Sequence, residues 1–151
     1  MIRKAEISDL KDIFRMGKAS YNFARFAEQG LKFNSDWFSD YILKLILSAN
    51  VYFSLAVRED EIIGSFVGEL LPWTFDNSQI LASEKWWWID PEARGGRDAF
   101  RLIDDFCKWA KEKNAVQVYL AAMNVKNSLT LDRIYKRMGF KLLETHYAKG
   151  L

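Results

Sequence analysis

Apolar residues along this chain switch between the spacing of strands and that of helices, and the switches mark out an order of elements. Ile2 to Ile7 alternates, which predicts a short strand. Ser8 follows as an N-cap with Asp9 and Asp12 in the first turn. Leu10, Ile13, Phe14 and Gly17 then recur at helical spacing, predicting a helix from about Asp9 to Ser20. Tyr21 to Phe33 carries Tyr21, Phe23, Phe26 and Phe33 without a clean period, the pattern of a segment that packs loosely over another element. Ser35 caps a second helix whose Trp37, Phe38, Tyr41, Ile42, Leu45 and Ile46 form a broad apolar face ending near Asn50.

From Val51 the period becomes that of strands. Tyr52 to Arg58 and Ile62 to Leu71 read as an antiparallel pair turned at Glu59, Asp60 and Glu61. Pro72 to Ser78 is a break. Gln79 to Ile89 predicts a central, buried strand, because Trp86 and Trp88 fall on one face and Trp87 on the other. The next helix sets Leu102, Ile103, Phe106, Trp109 and Ala110 against Arg101, Asp104, Asp105 and Lys108, and Asn114 closes it. Val116 to Met123 has few charges, as a buried parallel strand would. A helix from Leu129 to Met138 stops at Gly139, and Phe140 to Tyr147 predicts a last strand. The order βααβββαβαβ reads as one α/β sheet domain spanning residues 1–151.

Composition narrows the function classes. Half of the 151 residues are apolar, enough to bury one good core, and the net charge of +2 comes without a basic stripe that would point to nucleic acid. No apolar run approaches a membrane span of about 18 residues, and the N-terminus lacks the apolar core of a signal peptide, so the expectation is a cytoplasmic protein without a membrane partner. One cysteine, Cys107, and one histidine, His146, supply neither a disulfide nor a zinc site of Cys and His ligands, and no metal is expected.

The chemistry concentrates in PEARGGRDA, Pro91 to Ala99, between the KWWWI strand end and the amphipathic helix. A helix N-terminus has unpartnered N–H groups and the positive end of the dipole, so it can hold a phosphate with main-chain donors. Gly95 and Gly96 let backbone approach a ligand, and Arg94 and Arg97 add charge-assisted donors. Read without a ligand, the same stretch is a loop with glycines for turning and arginines for solubility.

The element order, the hairpin FSLAVREDEIIGSFVGEL, the run WWWIDPEARGGRDA and the late IYKRMGF together resemble the GNAT superfamily of acyl-CoA-dependent N-acyltransferases, most specifically from Val51 to Leu143. The resemblance implies a mixed, mostly antiparallel sheet flanked by helices and acetyl-CoA as co-substrate. In the family an RxxGxG/A loop binds the coenzyme A pyrophosphate. Arg94, Arg97 and Ala99 stand at its first, fourth and sixth positions, with arginine where the family has glycine. Asp98 beside them is expected to point away or cap the helix. The strand before the loop, Trp87, Trp88 and Ile89, would hold the thioester and pantetheine arm by main-chain groups.

Tyr135, Gly139 and Phe140 reproduce the family's tyrosine four residues before a Gly-Phe pair, which implies Tyr135 as the acid that protonates the departing thiolate; the alternative is a packing role. Where relatives have an asparagine seven residues before the tyrosine, Ser128 stands here with Asn127 beside it. Glu84 is the candidate base, Glu69 the second and His146 a distant third, while Cys107 reads as packing. The implied partner is a small-molecule or peptide amine entering between the Tyr21 to Trp37 segment and the Pro72 to Ser78 loop, and a homodimer is left open. The other class of function is a catalytically silent acyl-CoA-binding or interaction module on the same fold.

Overall fold

The computed structural model describes residues 1–123 and 128–151. Five strands, β1 (Ile2–Lys4), β2 (Val51–Arg58), β3 (Glu61–Trp73), β4 (Asp76–Ile89) and β5 (Ala115–Tyr119), lie side by side in that order. The first four are antiparallel neighbours and β5 runs parallel to β4. Helices α1 (Leu10–Phe23) and α2 (Ser35–Leu47) precede β2, α3 (Asp98–Glu112) crosses from β4 to β5, and α4 (Ser128–Arg137) follows β5. The strand, glycine loop, helix and parallel strand expected from the sequence form the βαβ unit.

The alternation of apolar residues on the strands splits the core in two. Phe53, Leu55, Val67 and Trp88 meet Ile13, Met16, Ile42 and Ile46 of α1 and α2. On the opposite face Tyr52, Phe66 and Ala82 meet Leu102, Ile103 and Phe106 of α3, with Tyr135 of α4. Phe106 is fully buried, 4.8 Å from the Phe66 ring centroid, and lies so close over Gly68 that a Cβ there would come within 2.3 Å of its ring. Phe106→Ala should therefore cost about 3–5 kcal/mol of stability, read as a lower urea midpoint at unchanged slope.

Several boundaries differ from expectation for identifiable reasons. Ser8 is not the first cap: Ile7–Asp9 form a 3₁₀ turn closed by a reciprocal Glu6–Asp9 capping box, and Arg3 grips Asp9 with two hydrogen bonds of 2.7 and 2.8 Å. For α2 the cap is Asn34, whose side chain accepts from Trp37 N at 2.9 Å, rather than Ser35. Pro72 lies inside β3 at a register irregularity, where its missing N–H costs nothing, so the break shrinks to a tight hairpin end. Tyr21, Phe26 and Phe33 do pack together, with α1 running on through Phe23. Strand β5 is shorter than expected and holds no buried residue, with Val116 56% accessible. The reason is that Phe140 to Tyr147 forms no sixth strand to cover it; Leu142, Leu143 and Tyr147 are exposed.

Candidate active site

The site grows from two irregularities in β4. Val67 pairs with Trp86 but Gly68 pairs with Glu84, leaving Lys85 as an extra residue, a β-bulge. One extra residue reverses the alternation: Ala82 packs on the α3 face, while Trp86, four residues on, packs on the α1–α2 face. The second irregularity is that β5 pairs with β4 only as far as Ser83↔Tyr119. Beyond that point the two chains part, and the edge of β4 from Glu84 to Ile89 has no β5 partner.

Glu84, Ala121 and Tyr135 meet where the strands part. The Ala121 N–H donates to Glu84 Oε2 at 2.8 Å, and the Tyr135 hydroxyl donates to Ala121 O at 2.9 Å. Burial holds the Glu84 carboxyl well above the ordinary carboxylate range, at about 7, against the opposing effect of the Ala121 N–H. Burial first, and then the Glu84 charge, push the Tyr135 phenol above its ordinary value, so it stays protonated at neutral pH. Tyr135 is 8% exposed, and its helix is ended by Gly139 at φ +89° with the Phe140 N–H bonded to Tyr135 O at 3.0 Å. The Gly-Phe pair thus anchors the turn that carries the tyrosine.

The glycine loop opens beside the freed edge of β4. Gly95 takes φ +88°, so the left-handed position falls there, and Arg97 is right-handed at φ −90°, ψ −1° as the residue before α3. An arginine at the fourth loop position is therefore free of backbone strain. The amides of Gly95, Gly96 and Arg97 donate to no backbone acceptor among the described residues, and the first-turn amides of α3 have no intrahelical acceptor. The side chains around them are partly committed. Arg94 donates from Nε to Ile89 O at 2.9 Å, and its guanidinium lies 4.8 and 4.7 Å from the ring centroids of Phe23 and Trp88. Asp98 is buried against Arg58 at 2.6 Å and Arg101 at 3.4 Å, and these partners, Arg58 foremost, hold its carboxyl below the usual range. Its carboxylate turns to Arg58 rather than capping the helix, and ties the loop to the end of β2.

A cavity of about 340 Å³ opens on the other face of the sheet, under α2. Phe38, Tyr41, Ile42 and Leu45 form its roof, Phe53, Val67 and Trp86 its floor, and Glu69, Glu84 and Lys85 its polar border. Glu69 and Lys85 are paired at 2.6 Å. The cavity lies under the middle of α2, and its lining includes none of residues 21–37 or 72–78.

The remaining sequence-derived residues sort as follows. Trp87 is half-buried on the α3 face, stacked on Phe66. Trp88 donates its indole N–H to Asp90 at 2.8 Å, and Asp90 also holds Arg15 of α1. Ala99 lies in the first turn of α3, and Cys107 is half-buried against the core with burial pushing its thiol up. His146 faces Glu144 on exposed chain. Asn127 lies outside the described residues. Sequence reasoning missed Ala121, Lys85 and Arg58. Ala121 contributes main-chain atoms and leaves no signal, whereas Glu84 and Lys85, the two charged residues between Asp76 and Asp90, were a visible break.

The sequence model of the acetyltransferase (GNAT) family matches residues 11–140. The chain belongs to the GNAT acetyltransferase family. Among curated proteins no sequence matches it. Its fold is that of solved GNAT acetyltransferases at low identity. An aminoglycoside acetyltransferase from an uncultured soil metagenomic sample, in complex with sisomicin, is 19% identical at TM-score 0.72, covering 99% of this chain and 95% of that one. A ribosomal-protein-alanine N-acetyltransferase from Brucella melitensis is 17% identical at TM-score 0.73, covering 99% and 98%. A predicted acetyltransferase with acetyl-CoA from Clostridium acetobutylicum is 17% identical at TM-score 0.73, covering 99% and 94%. Among the described residues of this GNAT chain no helix is long and apolar enough to cross a membrane, and no cluster of His, Cys, Asp or Glu could hold a metal ion.

Proposed function

We propose that this chain transfers the acetyl group of acetyl-CoA to a primary amine by direct attack, with Glu84 as general base and Tyr135 as general acid. The observation that carries the reading is the meeting of a half-buried carboxyl and a buried phenol on one residue, Ala121, where β4 and β5 part. The sheet is open there. Amides of the Gly95–Arg97 loop and the α3 N-terminus suit a pyrophosphate, and the freed β4 edge suits an extended pantetheine arm lying beside Tyr135. Glu84 also borders the α2 cavity, so an amine from that face and a thioester from the other meet at the gap.

Protons balance across these two groups. An acceptor arrives as an ammonium and must lose a proton before its lone pair can act; a carboxylate of pKa about 7 is matched to take it. The nitrogen lone pair forms the C–N bond as the C–S bond breaks, and sulfur leaves with the bonding pair. Tyr135 protonates that sulfur and is restored by a proton from the nitrogen. Of three ammonium protons, one stays on the amide, one ends on sulfur through Tyr135, and one passes through Glu84 to water. Because the Tyr135 phenol is raised, it gives up its proton only to a sulfur held in the same low-dielectric pocket, where a thiolate is also more basic.

Acetyl-CoA at about 100 times its Kd should stabilise the protein by about 2.7 kcal/mol and raise Tm by about 5–10 °C. Free thiol should then appear when amines are added. Gly95→Val, which forces a β-branched residue to φ +88°, should weaken acetyl-CoA binding about tenfold, and Lys111→Ala should leave it unchanged. No Tm shift at millimolar acetyl-CoA overturns the reading, and a shift without thiol release for any amine reduces the protein to an acyl-CoA-binding module.

A further inference from the structure

The walls of the α2 cavity carry information about the acceptor that the reaction alone does not. We infer that the acceptor is a monoamine on an apolar or aromatic body, such as an arylalkylamine, and that polycationic amines are poor substrates; this rests on the acetyltransferase reading above.

Three observations converge. The cavity holds about 340 Å³, at the small end of ligand sites, which run from about 300 to 1,000 Å³. Its roof and floor are aromatic and aliphatic, from Phe38, Tyr41 and Leu45 above to Phe53, Val67 and Trp86 below. Such walls stabilise a ring or alkyl chain by burial and by face or edge contacts with the aromatics, and offer little to a polyhydroxylated sugar.

Charge makes the third point. Two carboxylates and one ammonium border the cavity beside the Tyr41 phenol, and two of the three charges cancel: Lys85 is 2.6 Å from Glu69, and both side chains are 27% exposed. The extra residue of the bulge is the one that carries the ammonium to Glu69. Glu84 is then the one carboxyl without a cation partner, and it stands at the reacting end, bonded to Ala121 N. One uncompensated carboxyl matches one amine. A second or third ammonium on the acceptor would lie against apolar walls, desolvated and with no unpaired carboxylate left to compensate it. The reaction is R–NH₃⁺ plus acetyl-CoA giving R–NH–COCH₃, CoA–SH and H⁺, with the C–N bond formed and the C–S bond broken as above.

The test is a comparison of kcat/KM, by thiol release, for 2-phenylethylamine, spermidine, sisomicin and an Ala-Ala-Ala peptide at saturating acetyl-CoA. The expected result is a value for 2-phenylethylamine at least 100-fold above the other three. Lys85→Met, which frees Glu69, should raise the ratio of spermidine to 2-phenylethylamine at least tenfold, and Leu45→Glu should raise it independently should the first variant fail to fold. Thiol release that favours spermidine, sisomicin or the peptide, or that ranks all four alike, overturns the inference and leaves the acetyltransferase reading in place. A Tm shift with acetyl-CoA but no thiol release from any of the four, nor from a wider amine panel, overturns both.

Discussion

Glu84→Gln is expected to lower kcat by about 10²- to 10⁴-fold and, in the same protein, to raise the stability of the ligand-free state at pH 8. The two effects share one cause. Burial raises the folded-state pKa of Glu84 from 4.5 to about 7. Below pH 4.5 the carboxyl is protonated in both states and contributes no penalty. Between 4.5 and 7 the unfolded chain releases the proton while the folded chain keeps it, so stability falls as pH rises. Above 7 both are ionised, and the folded state carries the whole cost of a half-buried carboxylate, at most about 3 kcal/mol before solvent screening reduces it. Glutamine keeps an oxygen to accept the Ala121 N–H and cannot ionise. Its Tm should therefore match wild type at pH 4 and exceed it by about 5–10 °C at pH 8. The wild-type rate should rise through pH 7 as the base ionises, and that rise should be missing in the variant. A variant that keeps the wild-type rate and its pH dependence would remove Glu84 from the mechanism, and the stability curve would still report on its burial.

Tyr135→Phe should lower turnover by a similar factor with little change in acetyl-CoA affinity. The ring keeps its packing on Phe140 at 5.9 Å, and the loss is confined to the hydroxyl and its bond to Ala121 O, worth about 1 kcal/mol of stability. Because burial and the Glu84 charge raise the phenol above its ordinary value of about 10, wild-type activity should hold level through pH 9 and 10 on this group's account. Wild-type turnover in Tyr135→Phe on a verified acceptor would assign the proton to another donor. Lost acetyl-CoA binding would make Tyr135 a substrate contact. Double replacement with Glu84→Gln should cost less than the sum of the two, since both groups act on one transfer.

Patterns that repeat were legible in the sequence, and single departures from pattern were not. The α3 face of Leu102, Ile103 and Phe106 and the opposed faces of Trp86 and Trp87 follow from spacing alone. The turn at Glu59 and Asp60 was legible from its charges, although both residues take positive φ without glycine. The last strand expected over Phe140 to Tyr147 does not form: FKLLETHY has apolar residues without a period, and nothing in the chain signals that β5 remains an edge. At the site, Tyr135 was found through its distance to Gly139 and Phe140. Glu84 was found as a residue, but its half-buried place against Ala121 was not, since that depends on where β5 stops. The roles of Arg94 and Asp98 shifted because their partners, Phe23 and Arg58, are far away in sequence.

The extra residue at Lys85 makes the length of β4 matter more than most of its composition. Ala82 and Glu84 precede the slip, and Trp86, Trp87 and Trp88 follow it. Losing Lys85 would leave every other side chain in the strand unchanged in kind. It would nonetheless send either the carboxyl away from Tyr135 or all three indoles to the wrong faces. Point substitutions there would be graded in effect, whereas an insertion or deletion would be all or none, dismantling the core and the reacting centre in one step.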